Sequence, residues 1–164
     1  MANDTCLQLV TAKEIAALKK DPSSIGPFDK PSSQNYSTYY PCTINYFIVG
    51  KPHPKPTIAK PLTAALFGLE LVDCESLEAG NFGVVLPGKV AAIARSLEAI
   101  DLKEIKAAYA KANAKQLAKA EVDDFDLLIT VDEPVKRLVA AIVELKKFYK
   151  RAVKTKLGIV MFTA

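Results

Sequence analysis

Eight of the ten prolines of this 164-residue chain lie between Pro22 and Pro61, and no other feature restricts its fold as strongly. Proline fixes φ and removes a hydrogen-bond donor, so helix interiors and central strands are disfavoured across most of that stretch. The same stretch carries Ser23-Ser24, Ser32-Ser33 and the tyrosines Tyr36, Tyr39 and Tyr40. It reads as an irregular region, about 22–61, inside one domain spanning 1–164. Loops of that length are uncommon unless functional or mobile. One run within it reads differently: Thr43-Ile44-Asn45-Tyr46-Phe47-Ile48-Val49, β-branched and aromatic and closed by Gly50, has the pattern of a strand.

Around this region the chain is regular. Thr5–Val10 reads as a short strand, and Thr11-Ala12-Lys13-Glu14 as a capping box that starts a helix ending before Pro22. Pro61 to Phe67 reads as a short apolar helix stopped by Gly68, and Asn81–Leu86 as a strand. Pro87 opens a helix with Val90, Ile93, Ala94, Leu97 and Ile100 at helical spacing. Asp101 caps another, predicted to run to about Lys119. Glu121 to Asp126 is acidic and less regular. Asp132-Glu133-Pro134 marks the start of a long helix to about Lys154, with a buried stripe of Val135, Leu138, Val139, Ile142, Leu145, Tyr149 and Val153. Gly158–Phe162 supplies a last strand. Strands and helices do not alternate regularly. The expected fold is therefore α+β, a small, mostly antiparallel sheet packed against several helices.

Composition narrows the function. Half the residues are hydrophobic and 24% charged, the balance of a globular chain with one core. No apolar run reaches the roughly 20 residues of a membrane span. Met1-Ala2-Asn3-Asp4 has neither the basic nor the apolar part of a secretory signal, so the expected location is cytoplasmic. Cys6, Cys42 and Cys74 are odd in number and widely spaced, which fits thiols in a reducing compartment rather than a disulfide framework. With one histidine and no metal-ligand spacing, neither a metal site nor a cofactor is expected. A net charge of +4 falls short of the dense basic surface of nucleic-acid binders, so specific nucleic-acid recognition is not expected either.

Pro61-Leu62-Thr63-Ala64-Ala65-Leu66-Phe67-Gly68 leads into Asp73 and Gly80, followed by Pro87-Gly88-Lys89-Val90-Ala91-Ala92-Ile93-Ala94 and Leu97-Glu98-Ala99-Ile100-Asp101. With Tyr149 near the end of the long helix and an apolar terminal strand, this series resembles the YfbM-like family, small bacterial proteins classed as a domain of unknown function. The resemblance covers most of the chain. It implies a bacterial, cytosolic α+β domain and transfers no catalytic residue. Members often show a tryptophan and a histidine where Pro41 and Asn45 stand here, so a site built on that pair is not carried over.

The candidate site residues are ones of binding, and no catalytic set is assigned. Tyrosines in proline-punctuated loops offer large contact area with few rotors to freeze. Tyr36, Tyr39, Tyr40 and Tyr46 therefore either line a binding loop or cover an edge of the core. His53, between Pro52 and Pro54, has no orienting carboxylate or nucleophile nearby in sequence. Cys6 and Cys42 read as inert thiols beside strands, and Cys74 as a thiol disfavoured by Asp73 and Glu75. Lys147, Lys150 and Arg151, with Lys136 and Lys154, form a basic face on the long helix, either solvated or facing an anionic partner. The expected function is that of a non-enzymatic protein-binding domain. One concrete form is an immunity-type protein that neutralises a cognate toxin. The alternative is a small-molecule-binding domain or enzyme with a pocket between sheet and helices, where Asn45, Tyr46, His53 and Asp73 converge.

Overall fold

The two ends of the chain build the middle of the sheet. In the computed structural model, which describes residues 4–24 and 31–163, Thr5–Val10 forms β1 and Gly158–Thr163 forms β5. They pair antiparallel from Thr5 opposite Thr163 to Val10 opposite Gly158. Asn35–Thr38 (β2) lies outside β1. Glu70–Asp73 (β3) and Asn81–Val85 (β4) complete the other side, in the order β2-β1-β5-β4-β3 with every pairing antiparallel. Strand alternation then divides the side chains. Leu7, Leu9, Ile159 and Met161 enter the main core on one face, while Val10, Val160 and Phe162 enter a smaller cluster on the other.

Each face is covered by an amphipathic partner. Ala12–Lys20 (α1) begins at the expected capping box: Thr11 Oγ1 accepts from Glu14 N at 3.1 Å and Glu14 Oε2 from Thr11 N at 2.7 Å. It buries Ile15 and Leu18 against the smaller cluster. The opposite face carries Pro41–Val49 (α2), Pro87–Glu98 (α3), Leu102–Lys111 (α4) and Pro134–Thr155 (α7). Leu138, Ile142, Leu145 and Tyr149 recur along α7 at helical spacing and are all fully buried. Ala114–Lys119 (α5) and Phe125–Ile129 (α6) enclose a satellite cluster of Leu117, Val122 and Phe125 beside Cys42 and Tyr46. The α+β architecture is the one expected, and no helix among the described residues is long and apolar enough to cross a membrane.

Several local expectations are corrected. Thr43–Val49 is helical within α2, not a strand. Pro61–Ala64 is a 3-10 turn, not a helix to Phe67. The helix expected from Asp101 to Lys119 breaks at Ala112, whose backbone is extended, and Asn113 caps the second half through Gln116 N. β2 and β3 were not foreseen; both are four-residue edge strands, too short for a clear alternation. α7 starts at Pro134 as expected, but its N-cap is Glu133 in a left-handed conformation (φ 53) without a side-chain cap bond. Val153 is 42% exposed rather than part of the buried stripe, a role taken by Phe148 and Ala152. Residues 1–3, on which the reading of the N-terminus rests, and 25–30 of the proline-rich stretch lie outside the described residues.

Candidate functional site

The proline-rich stretch acquires order where it meets the rest of the chain. α2 has Pro41 at its first turn and a left-handed Gly50 (φ 80) at its end, but Tyr40 supplies no side-chain cap. The missing acceptor comes from Asp124, just ahead of α6. Its carboxylate accepts from Cys42 N at 2.7 Å, Thr43 N at 2.8 Å and Thr43 Oγ1 at 2.5 Å. Burial raises the Asp124 pKa, and these hydrogen bonds oppose that rise. A buried carboxylate therefore sits at the positive end of α2, where an anion is favoured.

This arrangement decides what Cys42 can do. Its Sγ lies 3.6 Å from His53 Nε2 and 3.8 Å from Nδ1, at the wall of a cleft of about 390 Å³ that Tyr39, Phe67, Asp123, Asp124 and Leu127 also line. Thiol, imidazole and carboxylate thus stand close together, as in a cysteine hydrolase. The roles are wrong, however. Asp124 holds the helix N–H groups instead of orienting His53, and it occupies the helix terminus that would otherwise favour a thiolate. Burial first, then Asp124, with a further contribution from Asp123, pushes the Cys42 thiol up to about 12. Cys42 is a protonated thiol packed beside an exposed histidine. Cys6 is likewise raised, chiefly by burial, and all three cysteines are free. Among the described residues no group of three or more His, Cys, Asp or Glu side chains is placed to hold a metal ion.

His53 belongs to a segment that alternates strictly. Lys51, His53 and Lys55 are exposed, whereas Pro52 and Pro54 are buried and Pro56 is half-buried. The prolines anchor an extended strand of loop and the basic residues project from it. This loop walls three clefts. One is the Cys42 cleft. A second, of about 200 Å³, lies against Leu71, Phe82 and Gly83 at the sheet end where Thr5 pairs with Thr163. The third and largest, about 710 Å³, lies between Lys51, Lys55, Lys60, the end of α2 and Leu62. Among the described residues the most exposed large hydrophobic ones border the same loop: Leu71 (55%) and Tyr39 (54%) line the smaller clefts, and Ile58 (54%) follows Thr57 at the rim of the largest.

The other candidate residues are dispersed. Tyr36 is a correction: it is buried against Phe148, its hydroxyl donates to Ala141 O at 3.2 Å, and its ring is not available to a partner. Tyr40 is half-buried against the main core, and Tyr46 packs edge-on against Phe47. Tyr39 alone of the four is exposed. On α7, Lys147 pairs with Glu144 at 2.7 Å and Lys150 with Glu98 at 3.0 Å, which neutralises much of the expected basic face; Arg151 is half-buried. The residues expected to converge on a pocket between sheet and helices do not meet in these clefts. Asn45 is fully buried with both amide atoms unpartnered, Asp73 is exposed on edge strand β3, and neither lines any of these clefts. Leu127 and the lysines of the loop were missed, and Asp124 was legible only as part of the acidic stretch Glu121–Asp126. The alternation of Lys or His with proline over residues 51–56 was the available signal for the lysines. Nothing local marks Asp124, whose partners lie 81 and 82 residues away.

Comparison with known proteins agrees with this fold. A solved structure described as a protein of unknown function, YfbM from Escherichia coli, superposes with a TM-score of 0.65 at 16% identity, covering 98% of this chain and 99% of that one. At that identity the likeness is one of fold. No curated protein matches. The profile of the family described as "Domain of unknown function (DUF1877)" matches residues 1–162, and the chain belongs to that family.

Proposed function

We propose that this chain is a non-enzymatic binding domain that holds a protein partner against the 51–60 loop. The observation that carries the reading is the gathering of Leu71, Tyr39 and Ile58, the most exposed large hydrophobic residues among those described, around one proline-anchored loop that walls three clefts. Exposed apolar side chains bordered by polar and basic groups suit a protein interface. Prolines at alternate positions also lower the conformational entropy lost when such a loop is engaged. The protonated state of Cys42 argues against thiol catalysis in the adjoining cleft. In the immunity-type form of the proposal the partner is a toxin. The basic loop then calls for an acidic toxin, by electrostatic complementarity.

The test is a photo-crosslinking residue in place of Ile58 in the full-length chain, irradiated in lysate of its native host. The control places the crosslinker at Lys13, on α1 at the opposite face of the sheet. A stoichiometric protein adduct at position 58 that is absent at 13 supports the proposal. Absence of any protein adduct at 58 across growth conditions, with the chain folded, ends it.

A further inference from the structure

Some lysines of this molecule are already held by carboxylates, and three that are not line a single groove. On α7, Lys136, Lys147 and Lys150 are each paired with a glutamate. Lys51, Lys55 and Lys60 line the largest groove, are exposed, and form no ion pair among the described residues. Among the described residues no carboxylate lines that groove. Its wall is aliphatic where α2 ends, at Ile48 and Val49, and again at Leu62. Three ammonium groups without an ion partner among the described residues, beside an aliphatic surface, favour an anion that also carries apolar groups.

We infer that the groove takes an extended acidic segment of the partner protein, with carboxylates at the lysines and aliphatic side chains against Ile48, Val49 and Leu62. This rests on the binding role proposed above. An extended peptide suits the groove because successive side chains point to opposite sides, so a sequence alternating Glu with an aliphatic residue presents one face to each kind of lining. A single-stranded nucleic acid fits less well. Its bases stack on aromatic side chains, and among the described residues the groove has neither an aromatic residue nor an arginine in its lining. Lysine ammonium groups act as point charges and ask for negative charge without the bidentate geometry that arginine would impose.

The experiment measures fluorescence anisotropy with the full-length chain and a short labelled peptide alternating Glu and Val. Parallel probes are the same peptide with Gln for Glu, an oligothymidylate, and decanoate as competitor. The expected result is binding of the Glu/Val peptide that weakens by about tenfold or more in molar salt, as for exposed charges. A similar loss is expected in the variant combining Lys51→Gln, Lys55→Gln and Lys60→Gln. The variant combining Lys147→Gln and Lys150→Gln retains affinity, and circular dichroism checks that both variants are folded. The inference is overturned by no binding of the Glu/Val peptide, by equal binding of its Gln counterpart, or by unchanged affinity in the groove variant. It is also overturned by preferential binding of oligothymidylate or by full displacement with decanoate. If the crosslinked adduct at position 58 persists while these results fail, the acidic occupant is wrong and the binding role stands. If the adduct is also missing, the role itself is wrong.

Discussion

Asp124 is the residue on which the neighbourhood of the candidate site turns, because one carboxylate caps α2 and quiets Cys42. Asp124→Ala leaves two N–H groups and the Thr43 hydroxyl without their acceptor, and is expected to cost about 2 kcal/mol, read as a lower urea midpoint. Since burial raises its native pKa above 3.8, this group contributes stability at low pH that is lost as pH rises through the native value. The stability of the parent chain minus that of Asp124→Asn should therefore decline from pH 4 upward; a difference that grew with pH would contradict the assignment. Cys42 gives an independent reading. Its thiol, at about 12 against an ordinary 9.0, should react with iodoacetamide at pH 8 about a thousandfold more slowly than a free thiol, in proportion to thiolate fraction. Peptide-resolved mass spectrometry follows the rate, and rapid alkylation at neutral pH would restore Cys42 as a candidate nucleophile.

At the scale of elements, the loop clefts depend on a close crossing. Gly68 (φ 83) and Phe67 lie over β4, where Leu69 N donates to Val84 O at 3.0 Å. A Cβ at Gly83 would meet Phe67 O at 2.1 Å, and one at Gly68 would meet Val84 N at 2.6 Å. Both contacts are with backbone, which cannot rotate away. Gly83→Ala is expected to destabilise the chain by about 3 kcal/mol through overpacking. A thermal melt indistinguishable from that of the parent would show that the segment is not held against β4. Tyr149 reinforces the same crossing from α7, its hydroxyl donating to Ala65 O at 2.9 Å, and its pKa is raised strongly by complete burial.

For the molecule as a whole, the decisive pairing joins the two ends of the chain. β5 lies between β1 and β4, and its residues from Ile159 to Phe162 are buried on both faces of the sheet. A chain ending at residue 156 loses the middle strand and uncovers the cores on both sides. It is expected to show no cooperative unfolding transition by circular dichroism. A sigmoidal urea curve for that truncated chain would mean that β1 and β4 can close on each other without β5.

Much of the architecture was legible because its signals are local. The capping box at Thr11, the helical spacing from Val90 to Leu97, Pro134 opening α7 and the terminal apolar run each carry their structural instruction within a few residues, and together they sufficed for an α+β fold. Thr43–Val49 misled because its β-branched residues favour a strand. The outcome was set by Asp124 capping the segment and by burial of Ile44 and Asn45 against helices distant in sequence. The candidate site was legible only in part. Burial of Tyr36 depends on which face of β2 meets α7, exposure of Tyr39 and His53 on how their loops lie, and pairing of Lys150 on where Glu98 comes to lie, whereas the Lys147–Glu144 pair is local to α7. The sequence alone determined the elements whose caps and periodicity are local, and with them the fold class. The tertiary structure decided which thiol is quiet, which tyrosine is exposed and that Lys150 meets Glu98, because these depend on residues brought together from distant parts of the chain.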